Sequence, residues 1–385
     1  LVEVVIECCD KYGMVVWAEI PYISEHMPNG RENTISQMKE LITQCYNHPS
    51  IVIWSMGNEA GPGDNFKVTY AAARALDAMR LIQYERNNDI SDIGCSQYPS
   101  VPWGARVATG KGNVKYPYHI NEFAHSMGNA LGNFAQYWAS MDSTNFFMGG
   151  AIWDWVDQSL YNYTADGTRY LASGGNFGDT PNDGQFVMNG ILFGDRTPKP
   201  QYEEVKKVYQ NLITTLAAQS AGSVTVKIFN KNYFEAASYD GRWELVADGD
   251  IVAAGSFEAE GLAPRASTEK TISIGQLPQG RECYLNVYYA YQEDMLWADK
   301  GYEPCREQLF LQAAAPFATD NVKGRKLKMK QDPSTGDVCV KGRRFAVTFD
   351  AATGTISSLR YRGKDVICKG QGPELNVYRA YVNND

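Results

Sequence analysis

Two glutamates stand where apolar runs end: Glu59 closes "SIVIWSMGNE" and Glu122 lies near the end of "YHINEF". Two carboxyls at one mouth can break a glycosidic bond. One protonates the leaving oxygen, and the other attacks the anomeric carbon or activates water. A lone glutamate at a strand end is ordinarily a solvated acid or a salt-bridge partner, so the pair carries the chemistry. Glu19, Asn58, Tyr98, Trp153 and Asp154 also fall at run ends, and His125 follows Glu122 within "FAHSMGN".

These residues need a scaffold that brings several strand ends together. From 1 to 211 short apolar runs alternate with helical patterns. The runs are 14–20, 50–59, 81–85, 92–98, 118–123 and 149–156. Ile35, Met38, Leu41, Ile42 and Cys45 recur at helical spacing, residues 65–80 form a second helical run, and Leu131, Phe134, Trp138 and Met141 a third. Strands this apolar, separated by helices, predict a parallel sheet buried on both faces. In a closed TIM (β/α)8 barrel the chemistry sits at the C-terminal strand ends, which is where these residues fall. Such a barrel needs eight strands, so a partial barrel is expected here, with two strands placed before Leu1.

After 211 the pattern becomes all-β. "SVTVKIFNKN", "RWELVADGDIVAAG", "EKTISI" and "CYLNVYYAYQ" alternate, with a hairpin expected at "ADGD". The fold class is therefore multidomain α/β plus all-β. A partial barrel (1–211) precedes an immunoglobulin-like β-sandwich (212–314) and the start of a further β-domain (320–385). The basic run at 323–330 reads as a solvated linker or edge.

The net charge of −8 argues against a nucleic-acid partner, because no basic surface is available to neutralise phosphates. No apolar run approaches the roughly 18–20 residues that span a bilayer, so no membrane partner is expected. The 8 cysteines lack metal or disulfide spacing and read mostly as buried thiols. The 24 tyrosines and 8 tryptophans suit large cores and carbohydrate or peptide sites alike.

Four motifs, "SIVIWSMGNEAG", "HINEFAHSMGNALGNFAQYW", "GGAIWDWVDQSL" and "GGNFGDTPNDGQFVMNGILFGDRTPKP", occur in the order found in the large family 2 β-galactosidases, which the chain resembles from about residue 5 onward. That family shares its barrel with β-glucuronidases and β-mannosidases. "FAHSMGN" and "GDTPNDGQF" favour the galactosidase branch. The resemblance implies Glu59 as general acid/base and Glu122 as nucleophile. It also implies Asn58 on the sugar C2 hydroxyl, Tyr98 steadying the nucleophile, His125 on a sugar hydroxyl and Trp153 as a flat face for galactose.

The two glutamates must differ in protonation. Charge on Glu122 favours the protonated form of Glu59, and a donor such as Tyr98 favours the ionised nucleophile. Retention with carboxyls roughly 5 Å apart is expected.

The resemblance also brings possible Mg²⁺ or Na⁺. The family's Glu-x-His magnesium pair is not matched, Glu25 and His26 being adjacent. The Phe186 carbonyl and Asn189 are sodium candidates. A β-galactoside substrate and a homo-oligomeric full-length protein are implied, with the compartment open between cytoplasm and periplasm. The competing readings are a β-glucuronidase or β-mannosidase, and a non-catalytic carbohydrate-binding fragment.

Overall fold

The computed structural model describes residues 2–21, 23, 27, 29–316, 324, 326–368 and 371–378. The chain divides after Ala314 into two compact units.

In the first unit all six expected parallel strands form, five of them shorter than the apolar run and β5 coinciding with its run. They are β1 (Val16–Glu19), β2 (Ile51–Ser55), β3 (Leu81–Gln83), β4 (Gly94–Gln97), β5 (Tyr118–Phe123) and β6 (Phe147–Ile152). They pair in order as two three-stranded parallel sheets, β1-β2-β3 and β4-β5-β6. The helices are α1 (Val2–Tyr12), α2 (Gly30–Cys45), α3 (Asn65–Leu76), α4 (Val101–Ala108), α5 (Phe134–Asp142) and α6 (Pro200–Tyr209). Two apolar clusters follow the two sheets. Met38, Ile42, Trp54 and Phe66 belong to the first, and Tyr118, Ile120, Phe123 and Phe134 to the second.

The strand pairing lapses between β3 and β4 because side chains take up the edge of β3. Asp92 Oδ2 accepts the Ile82 N–H at 2.6 Å, and Ser91 Oγ accepts the Tyr84 N–H at 2.7 Å. Across the gap the Cys95 thiol donates to Gln83 Oε1 at 2.9 Å.

α3 stops at Leu76, short of the expected 80, because the next residue is committed elsewhere. The buried Asp77 carboxylate accepts from Trp54 Nε1 at 3.0 Å and from Arg80 at 2.8 Å. α4 was not expected, since its sequence holds Pro and Gly. Ser100 caps it, however, and the proline sits in the first turn, where its missing N–H costs nothing. α6 and the antiparallel hairpin β7 (Leu160–Tyr163) and β8 (Arg169–Ala172) were likewise unforeseen. The chain passes close to itself at Gly190, where a Cβ would stand 2.3 Å from the Asp157 nitrogen.

Seven antiparallel strands complete this unit: β9 (Leu212–Ser220), β10 (Ser223–Asn230), β11 (Ala237–Ala247), β12 (Asp250–Leu262), β13 (Ser267–Ser273), β14 (Cys283–Tyr291) and β15 (Cys305–Gln312). They form sheets β13-β10-β9 and β12-β11-β14-β15 around one apolar core. In β11 burial alternates residue by residue over its first half, as a half-buried strand requires. The expected hairpin forms at Asp248-Gly249, both with positive φ, as a two-residue type I′ turn needs.

The second unit is a five-stranded antiparallel sheet: β16 (Lys328–Gln331), β17 (Val338–Lys341), β18 (Phe345–Phe349), β19 (Ile356–Tyr361) and β20 (Lys364–Asp365). The end of the basic run forms its exposed edge strand β16, where lysines discourage further pairing. Lys323 and Arg325 lie outside the described residues.

The cysteines are all free, and fewer are buried than expected. Cys45, Cys95, Cys283 and Cys305 are buried, whereas Cys8 and Cys368 are exposed. Among the described residues no helix is long and apolar enough to cross a membrane.

Candidate active site

After three strands of the parallel sheets the chain turns through a non-glycine residue in the left-handed region. Glu59 after β2 has φ 53°, Tyr98 after β4 has φ 43°, and Ala124 after β5 has φ 59°. Such backbone costs roughly 1–3 kcal/mol per residue and concentrates at working sites. Hydrogen bonds hold the turns. The Tyr98 N–H donates to the Glu122 carbonyl at 2.8 Å, and the Glu59 N–H to Glu85 Oε1 at 2.8 Å.

Glu122 reaches the mouth through a bulge. β4 pairs Ile120 with Ser96 and then Glu122 with Gln97, passing over Asn121. Strict alternation would put Glu122 on the face of the fully buried Ile120, against the helices. The extra residue re-aims it, a known use of bulges beside active sites.

Donors converge on the Glu122 carboxylate. Asn58 Nδ2 donates to Oε1 at 3.2 Å, and Gln97 Nε2 orients Asn58 by donating to its Oδ1 at 2.8 Å. Burial is the largest influence on Glu122 and raises its pKa. Hydrogen bonds from Tyr98, Gln97 and Asn58 oppose this, the charge of Glu59 adds to it, and the net position is above the usual value. Burial, then the Glu122 charge, push the Tyr98 phenol up, so it remains a proton donor at neutral pH.

Two more acids lie near enough to feel the charge of Glu122. Glu19 accepts from Ser55 Oγ at 2.6 Å, and burial raises its carboxyl. Glu85 is also raised by burial, against the pull of the Glu59 N–H and Arg86.

Asn58, Glu59, Tyr98, Glu122, His125 and Trp153 all line one cavity of about 670 Å³. The His125 ring lies 6.2 Å from that of Tyr98 and 5.8 Å from that of Phe186. Trp153 remains 36% exposed, its ring available to a ligand. Its backbone is pinned by an N–H bond to the Phe123 carbonyl at 2.9 Å. Tyr137 and Phe186 also line the cavity. Gln97, Glu85 and Arg86 were not expected at the site, for they sit in no recognisable motif, and Tyr137, though inside "HINEFAHSMGNALGNFAQYW", was not singled out there. A second cavity of about 670 Å³ shares Ala130, but of its charged residues Asp157 and Lys199 are mutually paired at 2.6 Å, which leaves Glu204 as its one other carboxylate and no facing pair of acids. The chemistry therefore belongs to the first.

For a cation, the buried Asn189 is the relevant residue. Its Nδ2 donates to the Phe186 carbonyl at 2.8 Å, and its Oδ1 is buried without a hydrogen-bond partner. An orphaned oxygen beside a carbonyl suits a hard cation, so these residues fit sodium. Glu25 and His26 lie outside the described residues. Among the described residues, no group of three or more His, Cys, Asp and Glu could hold a metal ion.

Comparison with known proteins places the chain. Residues 2–214 match the TIM barrel domain of Glycosyl hydrolases family 2, residues 226–312 match β-galactosidase domain 4, and residues 341–385 match the β-galactosidase small chain. Over 98% of its length the chain is 35% identical to a β-galactosidase of Priestia megaterium and 30% identical to one of Vibrio vulnificus, covering 38% and 39% of those proteins. It thus spans about two fifths of the length of these relatives. A solved β-glucuronidase of Parabacteroides merdae is 16% identical, with a TM-score of 0.42 over 92% of this chain and 47% of that one, a likeness too distant to bear on function. The barrel match takes in more than half of the chain, including every residue of the cavity, and the chain belongs to glycosyl hydrolase family 2.

Proposed function

We propose that this chain is the catalytic part of a retaining exo-β-galactosidase, with Glu122 as nucleophile and Glu59 as acid/base. The carrying observation is the donor set on one carboxylate. Asn58, Gln97 and Tyr98 hold Glu122 for attack, while Glu59 stands in the same cavity without that set. Glu122 attacks the anomeric carbon as Glu59 protonates the leaving oxygen, giving a glycosyl-enzyme. Glu59 then takes a proton from water, which displaces Glu122 with overall retention.

Trp153 offers its exposed face to the sugar ring, and His125 and Asn58 contact hydroxyls. The Phe186 carbonyl and Asn189 Oδ1 would hold a sodium ion, whose chemistry is to bind a sugar hydroxyl. Arg86 is already paired with Glu85 at 3.0 Å and Glu59 at 3.3 Å, which favours a neutral sugar over a glucuronide. The seven-stranded sandwich reads as immunoglobulin-like, its three- and four-stranded antiparallel sheets meeting across one core.

The test is covalent trapping on the full-length gene product. A deoxyfluoro β-galactosyl fluoride should add one fluorosugar mass to the peptide holding Glu122. An adduct on another residue, or none, overturns the assignment.

A further inference from the structure

The acid at the end of β2 is gripped from the neighbouring strand by residues that no motif singles out. We propose that Glu85 is a positioning residue for Glu59, with Arg86 completing the same clamp. This rests on the acid/base reading of Glu59.

Glu85 lies two residues beyond β3 and is only 7% exposed. Its Oε1 accepts the Glu59 N–H at 2.8 Å and Arg86 Nε at 3.0 Å, and a terminal nitrogen of Arg86 lies 3.3 Å from Glu59 Oε1. Both the backbone and the carboxylate of Glu59 are thus tied to two consecutive residues. The flanking residues hold the same loop. The Tyr84 hydroxyl donates to the Gly61 carbonyl, its ring stacks on Phe66 at 3.9 Å, and Asn87 Nδ2 donates to the Pro62 carbonyl at 3.3 Å.

A carboxylate is not buried for packing alone, because its desolvation is costly unless charge-assisted bonds compensate. Here those bonds come from Arg86 and from the backbone N–H of Glu59, the non-glycine residue of the loop in the left-handed region. The Glu85 bond fixes the turn that aims Glu59, and Arg86 receives the Glu59 carboxylate whenever it is ionised. Misplacing a reacting group by about 1 Å can cost two orders of magnitude in rate. Loss of the clamp should therefore act through proton donation and leave the nucleophile alone.

Leaving-group dependence isolates that step. An alkyl β-galactoside needs the Glu59 proton to depart, whereas a dinitrophenyl β-galactoside departs without it. In the full-length gene product, Glu85→Ala should lower kcat/KM for the alkyl substrate roughly a hundredfold. For the dinitrophenyl substrate the fall should be no more than about threefold. Glu85→Gln, which keeps the accepting oxygen, should recover most of the loss. Arg86→Gln, at a half-exposed position, should show the same selectivity with a smaller fall. Amide hydrogen exchange in the peptide spanning 57–62 should rise in Glu85→Ala and not in Glu85→Gln. Equal losses on both substrates, or an unchanged alkyl rate, would overturn the proposal. If the wild type turns over no galactoside, the galactosidase reading fails, and exchange at 57–62 still decides whether Glu85 holds the loop.

Discussion

Asn58 spans the mouth from the turn after β2 to the carboxylate ending β5, donating to Glu122 Oε1 at 3.2 Å. Gln97 fixes which way that amide faces, because it donates to Asn58 Oδ1 at 2.8 Å. Asn58→Asp would therefore set an acid against the nucleophile with Gln97 still pinning it. Like charge disfavours ionised Glu122, so activity should fall by roughly two orders of magnitude at neutral pH. The acid limb of kcat/KM should also move to higher pH. A variant that keeps wild-type kcat/KM across the profile would remove Asn58 from the site.

Tyr98→Phe tests the other donor. The phenol favours ionised Glu122, whose carboxyl burial already holds above its usual range. Without the phenol it should rise further, moving the acid limb upward while leaving the basic limb in place. At the optimum kcat should fall roughly ten- to a hundredfold, the worth of one hydrogen bond to a charged group. An unmoved acid limb would show that Tyr98 does not tune the nucleophile.

Asp77 is a stability prediction remote from chemistry. Burial alone would raise its carboxyl, but bonds from Trp54, Arg80 and two amides hold it below the ordinary range. Asp77→Ala leaves Trp54 and Arg80 without their partner and should cost about 3 kcal/mol in urea denaturation. A loss under about 1 kcal/mol would mean that water replaces the carboxylate.

Asp10 gives a pH signature. Hydrogen bonds from Ser50 and the pairing with His48 lower its pKa from 3.8 to about 2. A depressed carboxyl contributes stability above its unfolded value, and that contribution fades as pH falls from 3.8 toward 2. Asp10→Asn should therefore be less stable than wild type at neutral pH, and the two should converge near pH 2 in urea midpoints. A gap constant with pH would mean that the charge is not what matters.

The parallel strands were legible because largely buried strands read as unbroken apolar runs, as in "IVIW", although burial on both faces is incomplete and Val52 within that run is 37% exposed. The same runs located the mouth, since Asn58, Glu59, Tyr98, Glu122 and Trp153 lie where they end. Glu85, Arg86 and Gln97 were not legible. Their partners are on other strands, and nothing local in "LIQYERNND" marks an acid that binds an amide 26 positions earlier. The bulge at Asn121 was hidden for a related reason: register belongs to a pair of strands, not to one.

The seam between β3 and β4 separates the two acids. Glu59 and its clamp ride on one half-shell, Glu122 and Tyr98 on the other, joined across the gap by side-chain bonds: Cys95 with Gln83 and Asn88, and Asn58 with Glu122 and Gln97. Spreading of the halves would break the Asn58–Glu122 and Gln97–Asn58 bonds, so the nucleophile loses a donor as the mouth widens. The vulnerable quantity is thus the distance between the carboxyls, and turnover should be lost to breathing at this seam before either half melts.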